Sequence, residues 1–587
     1  MSFQLNDPSA HNAAVAGHQL LFIIIRAILS NPDLLSKTPW KRLFENDFWG
    51  TPLSDSGSHG SYRPLCVLTF RLNHLLGGSQ PWGYHLVNVL LHCLATALLI
   101  RVARLILPKS KQKAGSAVAG LVFATHPIHT ETVAGVVGRA DLAACNFYFL
   151  SLLAYIAHVR YRDVLCCCRK NQSDARKYHR LVFALQKNVT SCNWPKRHIR
   201  DMDAAEREVL VSKTNRNVMM RNFSLCCLRD KVKLWTYIGL CLLLALAAML
   251  SKETGITVLG VCFVYDVVYN PRNKKQTNSL LILASALSVI LAVRLQTRTP
   301  QFSTADNPTA REANLLARFL TFCYLPVFNF WLLIFPNTLS FDWGMEAIPR
   351  ITSLRDGRNA LSFVFYCGLG HALLTIVKNL KEHKRHKMKD TTDKSACEVC
   401  HVNCYDVHSP SCRSTNNNNT TNFHSTSCVC QRIKTAHRTD SKRVTTTGSI
   451  LFSIALLALP FLPATNILFY VGFVVAERVL YIPSAGLCLL LGLASATFWN
   501  RYRKYRPVLW FVLVVALLAF SAKTVRRNRD WHDEESLYKS AIAVNPPKAY
   551  GNLGSVLSSQ GRVAEAEWAF RKALQFRPNM ADVHYNL

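Results

Sequence analysis

Long apolar runs recur along this 587-residue chain, and they constrain its fold more than any other feature. Most are roughly 15 to 22 residues long, which is the helix length that crosses a hydrocarbon core of about 30 Å. Backbone inside a bilayer must satisfy its hydrogen bonds internally, which favours helices. The sequence therefore predicts an all-α, polytopic membrane protein. The predicted spans are 84–107, 116–137, 142–159, 234–250, 255–269, 279–295, 315–335, 360–377, 449–462, a weaker 467–475, 484–499 and 507–522.

Basic residues lie mainly between these runs. The net charge of +34 comes from 69 Lys and Arg against 35 Asp and Glu. In a soluble protein such a balance would suggest nucleic acid as a partner. Here the basic stretches have the placement of cytoplasmic loops beside an anionic leaflet, so we expect no nucleic-acid partner.

The same charge pattern predicts the domain organisation and the topology. We expect an atypical N-terminus with an incomplete first span (1–30), then a multi-span membrane domain (31–522), then a luminal C-terminal segment (523–587). The intervening polar loops should face the lumen. One segment, 315–335, breaks the alternation of sides, and Pro326 predicts that it is re-entrant or lies along the lumen. The basic cytoplasmic loops are predicted at 160–233 and 378–447.

Many of the 20 cysteines fall in these basic loops, where a reducing cytosol keeps thiols reduced. The segment 396–443 is polar and is predicted to be disordered. Its Cys and His residues leave zinc binding as an alternative, although their irregular spacing argues against it. The triplet 166–168 follows a span, so palmitoylation and unmodified thiols both remain open.

The stretch Pro547 to Pro578 has the tetratricopeptide (TPR) pattern, in which small residues let two helices approach and aromatic residues fill the gap. Its key positions are Gly554 and Phe570. Part of another unit precedes it, and a further one begins at Asp582. About three units are needed for stability, so we expect the beginning of a longer array. Such an array is either a plain scaffold or a peptide-binding groove.

Ionisable residues at the ends of spans indicate a functional site or an ion pair. The dipeptides Lys252-Glu253 and Glu477-Arg478 fit either interpretation, because each contains both charges. His126, His129 and Glu131 imitate a metal triad. Their spacing is not that of a zinc-protease helix, so no metal site is predicted.

Several motifs resemble those of the transmembrane and tetratricopeptide-repeat O-mannosyltransferases of the endoplasmic reticulum. They are NDFWGT, SYRPLCVLTFRLN, HPIHTETVAGVVGRAD, LSKETGITVLG, FPNTLSFDWGM and FVVAERVLYIPS. The resemblance implies a C-type glycosyltransferase (GT-C) fold in the endoplasmic reticulum membrane, with a luminal active site and luminal repeats. It also implies transfer of mannose from dolichyl phosphate mannose to Ser or Thr hydroxyls of secretory-pathway proteins such as cadherins. No nucleotide or other cofactor is expected, and the repeats offer a surface for a further protein.

Such a transfer needs a carboxylate to take the hydroxyl proton and polar or cationic groups for the lipid phosphate. In the family an acidic pair follows the first span, but here Ile23 and Ile24 occupy those positions. Asp47 is the favoured surviving acid. The catalytic candidates implied by the motifs are Asp47, Glu131 and Asp141. The substrate-binding candidates are Arg63, His126, His129, Arg139, Lys252, Glu253, Glu477 and Arg478.

Two other hypotheses remain at this point. The absence of the acidic pair is compatible with an inactive scaffold of the same fold that holds partners through its repeats. A transporter is the weaker alternative, because no paired inverted repeat of broken helices is visible.

Overall fold

The computed structural model describes residues 25–162, 232–269, 274–296, 307–402, 445–467 and 470–587. Over these residues the chain is helical, and its one strand-like feature is an isolated bridge between Asn46 and Pro52. The predicted all-α fold is confirmed. The predictions for Ile23, Ile24, the cysteine triplet 166–168 and residues 403–443 of the cysteine-rich segment fall outside the described residues. The first residues of that segment, 396–402, are helical, so the disorder predicted there is wrong.

The main helices are numbered in chain order. They are α1 (Pro64–Gly77), α2 (Pro81–Ile106), α3 (Gln112–Thr125), α4 (Val136–Arg162), α5 (Val232–Ser251), α6 (Val258–Tyr269), α7 (Lys274–Gln296), α8 (Leu315–Ile334), α9 (Gly357–Val402), α10 (Thr446–Phe461), α11 (Tyr481–Arg501), α12 (Arg506–Asp530), α13 (Glu534–Ala541), α14 (Pro546–Ser559), α15 (Val563–Phe576) and α16 (Ala581–Asn586).

Nine helices within the described residues are long and apolar enough to cross a membrane. They include α8, which continues unbroken for 20 residues through Pro326. Helix α9 extends well beyond the span predicted at 360–377, since the Lys- and Glu-rich residues that follow are good helix formers. These helices make the chain a multi-pass membrane protein.

The weak span predicted at 467–475 is wrong, because the described residues there form an irregular loop. Asn307 organises this loop from a distance. Its Nδ2 donates to Asn466 Oδ1 at 3.0 Å and to the Val471 carbonyl at 2.9 Å. Asn466 itself has a positive φ of 60°, which interrupts regular structure.

The chain divides into two compact units. The first contains the described residues from 25 to 98 and from 132 to 296, and the second contains 99–131 and 307–587. In the first unit, Leu34, Phe48 and Phe70 belong to a buried cluster that packs the 31–52 loop against α1. Burial of such side chains contributes about 2 kcal/mol each.

Helix α4 of the first unit makes an ion pair with the 252–269 segment near each of its ends. Near its start, Asp141 pairs with Lys252. At its last residue, Arg162 pairs with Asp266 on α6. Because the order of the partners is the same on both segments, α4 and α6 run parallel.

In the second unit, α11 packs against both α3 and α10. Gly115 on α3 and Gly492 on α11 meet so closely that a Cβ on Gly492 would lie 2.2 Å from the Gly115 carbonyl oxygen. Only glycine allows this approach of two helix backbones. The contact fixes the position of α11, which follows directly after Glu477 and Arg478.

Helices α14 and α15 form the antiparallel pair that the repeat pattern predicts. A Cβ on Gly554 would lie 2.6 Å from the ring of Phe570, so the small residue and the aromatic residue are matched as expected. Leu553, Leu557 and Ala569 complete the buried core of this pair.

Candidate active site

Four of the predicted site residues come together in the first unit, and we call Arg63, Asp141, Lys252 and Glu253 the charge cluster. Arg63 immediately precedes α1, and Asp141 lies in the first turns of α4. Lys252 and Glu253 lie between α5 and α6. Lys252 Nζ lies 2.5 Å from Asp141 Oδ1, and Arg63 Nη2 lies 3.4 Å from Glu253 Oε2.

One part of the charge cluster is buried, and the other part is partly exposed to solvent. The side chains of Asp141 and Lys252 are 5% and 8% exposed, whereas those of Arg63 and Glu253 are 19% and 36% exposed. Burial disfavours the charged form of Arg63, but the Glu253 and Asp141 carboxylates outweigh it and raise the pKa of the guanidinium. The cluster thus presents a permanent cation beside carboxylates.

The adjacent charges of Lys252 and Glu253 each have a partner beyond the dipeptide, Asp141 and Arg63 respectively. A buried Lys–Asp pair is costly to desolvate and is stabilised chiefly by good geometry and further hydrogen bonds. The sequence left open whether this dipeptide marks a site or an ion pair. The structure gives ion pairs that themselves form a cluster.

A second group of predicted residues, Glu131, Glu477 and Arg478, lies in the second unit, and we call it the carboxylate cluster. The Arg478 backbone N–H donates to Glu131 Oε2 at 3.0 Å, and Arg478 Nε lies 3.8 Å from Glu131 Oε1. Glu477 is buried, and its Oε1 accepts from the Ser340 N–H at 2.6 Å and from Trp343 Nε1 at 3.0 Å. The Arg478 side chain is 40% exposed, so it can meet an anion from outside.

The two histidines of the same motif are buried. His126 Nε2 donates to the Leu333 carbonyl at 2.9 Å, and its Nδ1 accepts from the Ile128 N–H at 3.2 Å. His129 Nε2 lies 2.8 Å from Ser484 Oγ. Both ring nitrogens of His126 are therefore engaged within the protein, which favours a structural role for this residue.

Arg139 hydrogen-bonds to neutral acceptors. It is fully buried, and its guanidinium donates to Asn88 Oδ1 at 2.9 Å, to Asn73 Oδ1 at 2.8 Å and to the Tyr84 carbonyl at 2.7 Å. It also lies over the Phe70 ring at 4.7 Å. These contacts join α1, α2 and α4, and they leave Arg139 shielded from any bound phosphate in this conformation.

Asp47 organises the loop that contains it. Its Oδ1 accepts from the backbone N–H groups of Trp49 and Thr51 at 2.9 and 3.0 Å. Its Oδ2 accepts from Ser58 Oγ at 2.8 Å and from the His59 N–H at 3.0 Å. These four hydrogen bonds hold the Asp47 carboxylate within its own loop. Asp47 as the catalytic acid stays a prediction, and its geometry favours loop stabilisation.

Two features were not predicted from the sequence. One is the contact of Ser340 and Trp343 with Glu477, and the other is the ion pair between Arg162 and Asp266 at the end of α4. Ser340 and Trp343 belong to the quoted motif FPNTLSFDWGM, but nothing in the sequence indicated that this motif meets Glu477. Asp266 did carry a signal, since an acidic residue within a predicted span needs a partner. That partner, Arg162, was assigned to a basic loop.

These observations define the class as a multi-pass helical membrane protein with two clusters of paired charges, followed by helical hairpins. A family model described as protein O-mannosyl-transferase TMTC, DUF1736, matches residues 296–370. Together with the relatives described next, this match shows that the chain is similar to the TMTC protein O-mannosyl-transferases.

Among its relatives, two proteins of Drosophila melanogaster named protein O-mannosyl-transferase Tmtc2 and Tmtc1 are each 40% identical over 96% of this chain. The human protein O-mannosyl-transferase TMTC2 is 39% identical over 95% of it. The chain spans 62%, 60% and 60% of the lengths of these three relatives. No solved structure gives a significant match.

Proposed function

We propose that the chain is a protein O-mannosyltransferase of the endoplasmic reticulum membrane. It transfers mannose from the lipid-linked donor dolichyl phosphate mannose to Ser or Thr hydroxyls of secretory-pathway proteins, with cadherin-type domains as the acceptor class. The membrane motifs and the repeats face the lumen in this proposal. The observation that carries it is the similarity to named O-mannosyl-transferases along nearly the whole chain.

The charge cluster supplies the groups that the chemistry requires. Asp141 is the proposed base, and Lys252 Nζ lies 2.5 Å from its Oδ1. Arg63 is partly exposed and carries a permanent charge, which suits it to the phosphate of the leaving lipid. In this reaction the acceptor oxygen bonds to the anomeric carbon of mannose, and the bond between that carbon and the lipid phosphate breaks. The hydroxyl proton passes to Asp141.

The carboxylate cluster provides a second pairing of an acid and a cation. Arg478 is the more exposed partner, and its backbone and side chain both approach Glu131. We assign Arg478 to binding the backbone of the protein acceptor, with Glu131 orienting it. Glu477 supports the same turn from within the protein.

The test is mannose transfer by the purified chain in lipid nanodiscs that contain dolichyl phosphate mannose, with a cadherin domain as acceptor. We expect transfer by the unmodified chain and a loss of about a hundredfold in Asp141→Asn, the typical contribution of a general base. Asp356→Asn is the matched control, because Asp356 pairs with Arg358 and belongs to neither cluster. Its transfer rate should remain near that of the unmodified chain.

Two results would contradict the proposal in different ways. A chain that is folded and binds the donor but transfers no mannose would favour the inactive scaffold. Two observations motivate that alternative: the Asp47 carboxylate already accepts hydrogen bonds from its own loop, and isoleucines stand at positions 23 and 24. Transfer that is equally fast in Asp141→Asn and in the control would retain the activity but exclude Asp141 as its base.

A further inference from the structure

The loop Asn337–Met345 between α8 and α9, which we call the linking loop, contacts two parts of the second unit. On one side it holds Glu477. The Ser340 N–H and Trp343 Nε1 both donate to the same oxygen, Oε1, at 2.6 and 3.0 Å. Two donors on one buried carboxylate oxygen fix its orientation.

On the other side the linking loop binds the helices of the repeat region. Asp342 Oδ2 lies 2.7 Å from Lys548 Nζ, the Gly344 carbonyl accepts from Asn545 Nδ2 at 3.1 Å, and the Phe341 ring meets Tyr538 edge-on at 5.0 Å. Asn545 and Lys548 flank the start of α14. The loop therefore fixes where the helical pair α14–α15 begins.

The two sets of contacts are interleaved along the chain. Ser340 and Trp343 point to Glu477, while their neighbours contact the repeat helices. Met345, buried in the core of the repeats, has a φ of 54°, an unusual conformation for a residue other than glycine. Surrounding contacts must stabilise such a backbone. A substitution that disturbs the contacts of this short loop with the repeat helices should therefore also disturb its contacts with Glu477.

We propose that the linking loop positions the repeat helices relative to the carboxylate cluster, so that a protein held by the repeats reaches that cluster at a fixed distance. Trp343 is the positioning residue for Glu477, and the Asp342–Lys548 pair joins the loop to the repeats. The consequence is a preference for folded protein acceptors over short peptides. This consequence rests on the proposed function, but the mechanical link does not.

The mechanical link is tested by hydrogen exchange on the full chain in nanodiscs. Lys548→Asp and Asp342→Lys each place like charges together, and we expect exchange at the Ser340 amide, which donates to Glu477, to rise about fivefold, the effect typical of one partly exposed ion pair. The double variant restores an opposite-charge pair and should return exchange to the original rate. Glu567→Lys is the control, since Glu567 pairs with Arg571 on the exposed side of α15.

The functional consequence is tested by comparing transfer to a cadherin domain with transfer to a short Ser/Thr peptide. The single variants should raise the KM for the domain about fivefold and leave the peptide rate unchanged, and the double variant should restore the domain KM. The link would be overturned if the hydrogen-exchange rate in the linking loop did not change in Lys548→Asp. It would also be overturned if the double variant did not restore the original rate. Equal losses on both acceptors would overturn the positioning role. If the unmodified chain transfers to neither acceptor, the proposed function and the acceptor preference fail together, while the exchange result still decides the link.

Discussion

The two ends of helix α4 carry buried ion pairs of different construction. At the last residue, Arg162 forms a two-pronged pair with Asp266, with both N···O distances at 2.6 Å, and Tyr155 OH donates to the same carboxylate at 2.8 Å. The side chains of this pair are 1% and 0% exposed. Near the start, Asp141 and Lys252 share one contact, and the charges continue through Arg63 to the partly exposed Glu253.

This difference is the basis on which we assign the Arg162 pair to the fold and the Asp141 pair to the proposed site. The pair at Arg162 is sealed from solvent, with side chains 1% and 0% exposed, whereas the other end leads outward through partly exposed charges. The rise of α4 between Asp141 and Arg162 is about 30 Å, roughly the thickness of a hydrocarbon core. The two pairs are therefore separated along α4 by about the thickness of a hydrocarbon core.

The largest expected effect is on stability at the sealed end. Asp266→Ala leaves the Arg162 guanidinium buried without its partner, which should lower the free energy of unfolding by about 3–5 kcal/mol. Thermal unfolding in detergent measures this loss. The double variant Arg162→Met/Asp266→Leu removes both charges and should recover most of it. A mild effect of Asp266→Ala would show that this pair is less sealed than its geometry indicates.

At the opposite end the same kind of change should cost less stability. Asp141→Asn keeps the shape and one acceptor oxygen for Lys252, so we expect a loss of about 1–3 kcal/mol, the range for a compromised buried hydrogen bond. The same unfolding assay measures it. If this substitution lowered the free energy of unfolding as much as Asp266→Ala does, the two ion pairs would not differ in their contribution to stability, and the comparison would be wrong.

Asp47 extends the comparison between structural and catalytic carboxylates. It is a predicted catalytic acid, but its hydrogen bonds are those of a carboxylate that stabilises a loop. Asp47→Ala removes the acceptor for the Trp49 and Thr51 amides, and we expect their hydrogen exchange to accelerate with a local loss of about 1–2 kcal/mol. Asp47→Asn, which retains one acceptor oxygen, should have a smaller effect. Loss of transfer without any change in exchange would instead support Asp47 as a base.

The smallest effect concerns Asp33, a buried carboxyl whose Oδ1 accepts from Asn46 Nδ2 at 2.8 Å while its Oδ2 lacks a donor. Burial raises its pKa despite that hydrogen bond. The folded state therefore binds the proton more tightly than the unfolded chain, and the contribution of Asp33 to stability falls as the pH rises from about 4 through its folded pKa.

The variant Asp33→Asn lacks this titration. Its melting temperature, measured relative to that of the unmodified chain, should therefore rise with pH across that window and then level off. Asp356→Asn gives the opposite sign, because the hydrogen bond from Arg358 lowers the pKa of Asp356 to about 2. A relative melting temperature of Asp33→Asn that falls with increasing pH would contradict the account.

The sequence predicted the features that depend on local pattern. Apolar length gave most of the helices, and the spacing of Gly554 and Phe570 gave the packed pair α14–α15. The failed span at 467–475 shows the limit, since the loop there depends on Asn307, a residue more than 150 positions away.

For the site, the motifs indicated ionisable residues near the ends of spans, but they could not indicate which residues these would pair with. Lys252 and Glu253 are adjacent in sequence, yet their ion pairs reach Asp141 and Arg63. Arg139 looked like a phosphate ligand, because charge is visible in a sequence and burial against neutral acceptors is not.

The central claim is that the Asp141 end of α4 performs chemistry and the Arg162 end only supports the fold. The most direct test is the rate of mannose transfer per folded molecule in Asp141→Asn and in Arg162→Met/Asp266→Leu, measured side by side. We predict a loss of about a hundredfold in the first and a rate within about twofold of the unmodified chain in the second. Equal losses in both, or a loss confined to the double variant, would contradict the claim.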